Sequence, residues 1–235
     1  MKFTKLISGQ SLDLRKIPTY FFKGNDKKFN ENVYFIAGIH GDEPEGVYVL
    51  KRLFEWMEYT FEEDIYSNFV FVPVVNPDGL AKKIRNNENM VDLNRNFPSS
   101  NWKENGKGRY YSGPMPFSEP ESRYLGELFS NYPPSLTFSF HSWNKSPAIN
   151  FDSIGKQKSM TREISEFFSR FNNYEILDSI GYPTPGSLGS YVSEKYNSPV
   201  ITFEFPSLDK HKTTFEEIWK NNERGLKEFI FTLSS

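Results

Sequence analysis

The sequence predicts a single α/β domain built on a mixed, mostly parallel central sheet flanked by helices. Three observations predict it. Short apolar runs at Val33–Ile36, Phe69–Val75, Leu136–Phe140 and Ser198–Pro206 alternate with longer stretches of helical periodicity. The run Phe69-Val-Phe-Val-Pro-Val-Val75 is almost unbroken in apolar residues, as strands of a parallel sheet are when both faces are buried. The chain has 235 residues, enough for one sizeable core, and no linker, repeat or low-complexity tract divides them. Residues 1–235 are therefore expected to form one domain.

The elements follow in order. Thr19–Phe22 is expected as an edge strand, paired with the run from Val33 through a hairpin turn at Lys23–Lys28. From about Glu43 to Tyr59 the residues Val47, Leu50, Phe54 and Met57 recur at helical spacing and make a core face. Phe69–Val75 is the next strand, with Pro73 near its end, and Asn76-Pro-Asp-Gly79 carries a turn composition. Val91–Pro98, with its repeated Asn and closing Pro, reads as a loop, and residues 99–117 as a long surface loop. Ser118 and Glu121 form a capping-box pattern for a helix running to about Asn131. Leu136–Phe140 is a strand, residues 157–172 a helix and Glu175–Ile180 a strand. Gly181–Ser190 is a Pro/Gly-rich loop of the kind that covers sites. A helix from Gly186 to about Tyr196, a strand at Ser198–Pro206 and a helix at Thr213–Leu233 close the chain. Phe215, Ile218, Trp219, Leu226 and Ile230 give that last helix its apolar face.

Composition excludes several functions. The net charge is −2 and the cations are dispersed, which argues against nucleic-acid binding. Cysteine is absent, so disulfides, thiol catalysis and cysteine-based metal sites are excluded. Met1–Ser8 has no long apolar region, and no apolar run approaches a membrane span. A cytoplasmic protein without membrane partners is expected.

The chemistry gathers on Ile36-Ala-Gly-Ile-His-Gly-Asp-Glu-Pro-Glu-Gly46, between a strand and a helix. His40 and Glu43 stand there at the spacing H-x-x-E. Imidazole nitrogen and carboxylate oxygen both suit Zn²⁺, and catalytic zinc sites use three protein ligands, leaving a position open. H-x-x-E alone is a weak pattern, but His141 ends another strand-like run and supplies the third ligand. Strand ends at the carboxyl edge of an α/β sheet are where ligands bind. His211, among charged residues, reads as a surface residue, and Glu45 as a first-turn helix carboxylate. Asn94 and Arg95, side by side in a loop, make a natural carboxylate clamp, because Arg presents a planar fork of donors. Glu204 is flanked by Phe203 and Phe205 in a strand, and alternation turns it to the opposite face from both. A carboxylate in that context is costly unless paired or functional.

These residues resemble the zinc carboxypeptidases of the carboxypeptidase A type. The resemblance is carried by His40-x-x-Glu43, Asn76-Pro-Asp-Gly79 with Arg85, Asp92-Leu-Asn-Arg-Asn-Phe97, and strand-end His141 followed by strand Glu204. They come in the family's order and span most of the chain. Small size and the wording Gly38-Ile-His-Gly-Asp-Glu-Pro-Glu-Gly46, Asp92-Leu-Asn-Arg-Asn-Phe-Pro98 and Tyr182-Pro-Thr-Pro-Gly-Ser-Leu-Gly-Ser190 are most similar to members that hydrolyse recycled cell-wall peptides between γ-D-glutamate and meso-diaminopimelate. The resemblance implies one zinc ion held by His40, Glu43 and His141, with Asp92 orienting His40. It implies Glu204 as general base, Arg85 at the oxyanion, and Asn94 with Arg95 on the terminal carboxylate of a small peptide substrate. The family's mobile tyrosine maps onto Tyr182, with Tyr191 as the alternative. Two other readings remain open at this stage: a desuccinylase or aspartoacylase-like deacylase of N-acyl amino acids, and a zinc-free module that captures peptide carboxylates.

Overall fold

The computed structural model describes residues 4–5, 8–24, 31–60, 66–151 and 157–233. The chain opens with four short strands: β1 (Thr4–Lys5), β2 (Gly9–Gln10), β3 (Lys16–Ile17) and β4 (Tyr20–Phe22). β5 (Asn32–Ala37) leads into α1 (Pro44–Thr60), and β6 (Asn68–Val72) into α2 (Pro77–Lys82). A single 3₁₀ turn, Leu93–Arg95, precedes α3 (Pro120–Asn131). Then come β7 (Pro134–Trp143), β8 (Ala148–Phe151), α4 (Gln157–Asn172) and β9 (Glu175–Leu177). The chain ends with α5 (Leu188–Tyr196), β10 (Val200–Pro206), α6 (Leu208–His211) and α7 (Phe215–Thr232).

Eight strands form one sheet in the order β1-β4-β6-β5-β7-β10-β8-β9. The centre, β6-β5-β7-β10, is parallel throughout, and β4 and β8 run antiparallel to it on either side. The fold is thus the expected α/β arrangement with a mixed central sheet.

Alternation along the strands sorts their side chains onto two faces. Phe35, Phe71, Phe138 and Phe203 point to one face, where α1, α4 and α7 cover them with Leu50, Phe168, Trp219 and Phe229. Phe35 stacks between Phe71 and Phe138, with ring centroids 5.0 Å apart in each pair. Tyr34, Ile36, Val70 and Val72 point to the other face, under α3 and α5, with Phe129, Leu188 and Tyr191. The four predicted core positions of α1 all join the first cluster, Leu50 and Met57 fully buried and Val47 and Phe54 at its margin. No helix among the described residues is long and apolar enough to cross a membrane.

Several local expectations are corrected. β4 does not form a hairpin with β5; it pairs antiparallel with β6. Both edges of β5 are already taken by the parallel strands β6 and β7, which leaves it no edge for β4. Of the expected turn at Lys23–Lys28, residues 25–28 lie outside the described residues. Asn76-Pro-Asp-Gly79 opens α2 rather than making a simple turn: the Asn76 side chain caps it by accepting from Gly79 N at 2.9 Å, and Pro77 suits the first turn. β6 ends at Val72, before Pro73. The capping box at Ser118 does not form. Glu119 takes the N-cap position, Ser118 Oγ donates to Glu119 Oε1, and Glu121 turns inward to accept from Asn87 Nδ2. β9 stops at Leu177, and α5 starts at Leu188 with Ser187 as its cap.

Candidate active site

The site lies at the carboxyl edge of the parallel strands. β5 releases the chain at Ala37, and the following turn carries His40 into the start of α1. Gly41 is required there by close approach, since a Cβ would run into the Gly79–Leu80 peptide of α2. Gly41 N also donates to the Arg85 carbonyl at 3.2 Å, which ties the two turns together. His141 lies within β7 rather than past its end, and Glu204 is its direct neighbour across the β7–β10 pair. Alternation sends both side chains to the face opposite the large phenylalanine cluster.

His40 Nδ1 lies 2.8 Å from Glu43 Oε1 and 3.2 Å from His141 Nδ1, and His141 Nδ1 lies 2.8 Å from Glu43 Oε2. One ligand atom from each residue falls within 4.8 Å of the others. Ligand atoms around tetrahedral zinc are separated by about 3.3 Å when each bond is 2.0–2.1 Å. Two nitrogens and a carboxylate converging this closely therefore fit one zinc ion.

The far ring nitrogens are held from behind. His40 Nε2 lies 3.1 Å from Asp92 Oδ1, and His141 Nε2 lies 3.0 Å from Ser139 Oγ. Such partners fix the ring orientation and keep both Nδ1 atoms turned to the shared point. The sequence reading named Asp92 but missed Ser139. Its signal was present: two residues before His141 on one strand, it shares that histidine's face.

Arg85 donates from Nε and Nη2 to Asp92 Oδ2 at 3.1 and 3.0 Å, and from Nη1 to Glu43 Oε1 at 3.2 Å. Arg95 is only 4% exposed, and its Nη1 donates to the Asn94 carbonyl at 2.6 Å. It makes no ion pair among the described residues. Burial, only partly offset by Asp92, pulls its pKa down. Asn94 Oδ1 accepts from Leu188 N at 2.9 Å, which joins the clamp to α5. Both guanidinium groups lie over the ring of Tyr110, at 5.4 Å for Arg85 and 5.7 Å for Arg95. Tyr110 sits in the segment read as a surface loop, and nothing in its local sequence marked it.

Glu204 is mostly buried, and burial pushes its pKa up to about 8, with Glu43 adding to the shift while His141, Arg85 and Lys145 partly offset it. Glu43 is opposite in character: burial disfavours its charge, yet the two imidazoles hold its pKa well below the usual carboxylate range. Asp92 is likewise lowered, with His40 and Arg85 outweighing its burial. Burial also raises the Tyr182 phenol, with Glu204 adding to it.

Every candidate site residue except Asp92 lines one cavity of about 1020 Å³. Tyr182 is half-exposed on its wall, and the loop carrying it is strapped down where Phe97 N donates to the Gly186 carbonyl at 3.0 Å. Tyr191 is fully buried, stacks on Phe97 at 5.6 Å and does not line the cavity. His211 lies on α6, outside the triad. Glu45 stands in the first turn of α1 as read, and it is buried and bridges two elements. It accepts from Ser142 Oγ at 2.6 Å and from Leu208 N at 2.8 Å.

Comparison with known proteins adds four findings. The family model described as zinc carboxypeptidase matches residues 2–233. Murein peptide amidase A of Escherichia coli (strain K12) is 32% identical over 197 residues, covering 78% of this chain and 75% of that protein. The crystal structure of murein-tripeptide amidase MpaA from Escherichia coli O157 superposes with a TM-score of 0.72 at 28% identity, over 94% of this chain and 89% of that one. Thrombin-activatable fibrinolysis inhibitor shares the fold, with a TM-score of 0.76 at 21% identity, over 99% of this chain and 67% of that one. Neither the deacylase nor the zinc-free module finds support among these matches. Matched from end to end by the family's model, and with ligands placed to fit the ion that family uses, the chain belongs to the zinc carboxypeptidases and is a hydrolytic metallopeptidase.

Proposed function

We propose that this enzyme removes the C-terminal residue of small peptides, and that its substrate is a cell-wall peptide cut between γ-D-glutamate and meso-diaminopimelate. The observation that carries the first part is Arg95. A buried guanidinium without an ion-pair partner among the described residues, at the wall of a cavity beside a metal triad, is set to take an anion from the substrate. A peptide's terminal carboxylate supplies it. The second part is supported by likeness to murein peptide amidases over three-quarters of their length.

In this reading His40, Glu43 and His141 hold zinc, which when bound polarises a carbonyl and lowers the pKa of water toward 7. Asn94 and Arg95 grip the terminal carboxylate and fix the scissile bond against the triad. Glu204 accepts a proton from the attacking water and passes it to the leaving amine. Burial raises its pKa, which favours a group that takes a proton from water and then returns it. Arg85, held by Asp92 and Glu43, directs its charge at the carbonyl oxygen as negative charge develops there. Tyr182 closes over the bound residue from the cavity wall. We place the enzyme in the cytoplasm, as one catalytic domain over residues 1–235, with no nucleic-acid or membrane partner.

The test is a mass-spectrometric assay of zinc-loaded protein on L-alanyl-γ-D-glutamyl-meso-diaminopimelate, with a chelated control. Free diaminopimelate, lost on chelation, is the expected result. A folded, zinc-containing chain that releases none from this peptide but trims ordinary C-terminal peptides would discard the cell-wall substrate.

A further inference from the structure

Residues 144–147 join β7 to β8 and span the end of β10, because β10 lies between those two strands. Glu204 is in register with His141 on one side and Ala148 on the other, so this short connection crosses directly beside it. The connection is well anchored. Trp143 Nε1 donates to the Ser146 carbonyl at 2.8 Å, Ser207 Oγ to Asn144 Oδ1 at 2.7 Å, and Ser207 N to the Trp143 carbonyl at 3.1 Å.

Lys145 stands at its tip and lines the cavity. Its ammonium lies 5.2 Å from the centre of the Trp143 ring and 5.8 Å from that of Tyr182. Two aromatic faces thus hold the cation at the cavity wall, and it makes no ion pair among the described residues. Most exposed lysines have no function beyond solvation. This one differs in being held over the site by aromatic contacts on an anchored turn.

Its place along the sheet gives it a meaning. Arg85 is held by Asp92 and Glu43, and Asn94–Arg95 is tied to the turn before α5, where Asn94 Oδ1 accepts from Leu188 N and Phe97 N donates to the Gly186 carbonyl. Lys145 enters past the end of β10, on the Glu204 side of the cavity. With a substrate's terminal carboxylate on Arg95 and its scissile carbonyl at the triad and Glu204, the cation among the described residues free to meet the acyl portion beyond Glu204 is Lys145. In an ordinary peptide the acyl residue has no free backbone carboxylate, because both its ends are amides. A glutamate joined through its side chain keeps its α-carboxylate free, a few carbons from the scissile carbonyl.

We propose that Lys145 is a specificity-determining residue that binds this free carboxylate and so selects peptides joined through a glutamate side chain. The inference rests on the peptide-hydrolase reading above and narrows its substrate class.

The experiment compares two peptides: L-alanyl-γ-D-glutamyl-meso-diaminopimelate, and the analogue in which the γ-linked glutamate carries an α-carboxamide. Steady-state kinetics are measured on zinc-loaded wild type, K145M and K145R, with zinc content and Tm as controls for folding. Wild type should favour the acid about tenfold in kcat/KM, mainly through KM. K145M should bring the ratio of the two peptides close to one, and K145R should restore the preference. Calorimetric binding of both peptides to an E204Q background should give the same ratios without turnover. A preference that survives in K145M, or is missing in wild type, overturns the role of Lys145 while leaving the cell-wall substrate in place. Cleavage of α-linked peptides with neither γ-linked one touched overturns both together.

Discussion

Glu204 and His141 are register partners on adjacent parallel strands, β10 and β7, and their side chains emerge on the same face. The separation between the imidazole proposed to bind metal and the carboxylate proposed to carry the proton is thus set by the spacing of two hydrogen-bonded strands rather than by a loop. Sites built on such elements hold their geometry well.

Replacing Glu204 with Gln removes the proton carrier and keeps the shape. General acid–base catalysis contributes roughly 10²- to 10⁴-fold. E204Q is expected to lose turnover by about that factor while keeping wild-type zinc content and Tm. Near wild-type kcat in a zinc-loaded E204Q sample would refute the assignment.

Arg95→Ala should raise KM by roughly 10- to 100-fold, the worth of a charge-assisted bond to a carboxylate, and change kcat far less. Its Tm should not fall, because the variant discards a buried guanidinium that has no ion-pair partner among the described residues. Kinetics and a thermal melt on one preparation decide both. An unchanged KM would place the clamp elsewhere.

Ser139→Ala removes the partner of His141 Nε2 without touching a ligand. Loss of a partner behind a metal ligand typically weakens metal binding 10- to 100-fold. A chelator-competition titration should show zinc affinity falling by about that amount, with the melting curve of the zinc-free chain unchanged. Equal zinc affinity in S139A and wild type would mean that the hydroxyl does not orient the ring.

Glu121 predicts a pH dependence of stability away from the site. Burial lifts its pKa from 4.5 to about 7, with neighbouring Glu119 adding to the shift and Asn87 offsetting part of it. Between those values the folded chain holds a proton that the unfolded chain releases. Stability is therefore undiminished below about pH 4.5 and falls as pH rises through 7. Glu121→Gln should remove this loss, of the order of 1–3 kcal/mol. Urea melts at pH 5 and pH 8 should show E121Q gaining on wild type at pH 8 only. Parallel curves at both values would contradict it.

Much of the site was legible because its residues carry strong local signals. His40 follows a strand and a glycine turn, and Glu204 is a carboxylate that alternation separates from Phe203 and Phe205. What was illegible depends on contacts between distant segments. Tyr110 lies under both arginines, but a tyrosine in a Gly- and Lys-rich loop has no pattern to read. Glu45 is the first-turn carboxylate it looks like, but its bridge to β7 and α6 cannot be read from its neighbours in sequence. In the fold, strand existence was readable from apolar runs, whereas the partner of β4 was not. Pairing depends on which edges the other strands leave free, and β5 had none.

The position of β10 bears on how the protein is made. β10 is the last of the described strands in chain order, yet it sits inside the sheet, with β7 on one side and β8 on the other. Until it arrives, the β8–β9 pair has no link to the rest of the sheet, and β7 presents an open edge that other chains can pair with. The proposed zinc ligands are all synthesised by residue 141, long before Glu204. A nascent chain thus carries every proposed ligand for the ion well before the residue proposed to move the proton. Inserting β10 then completes the sheet and equips the site in one late, long-range step, the kind of step that makes folding slow.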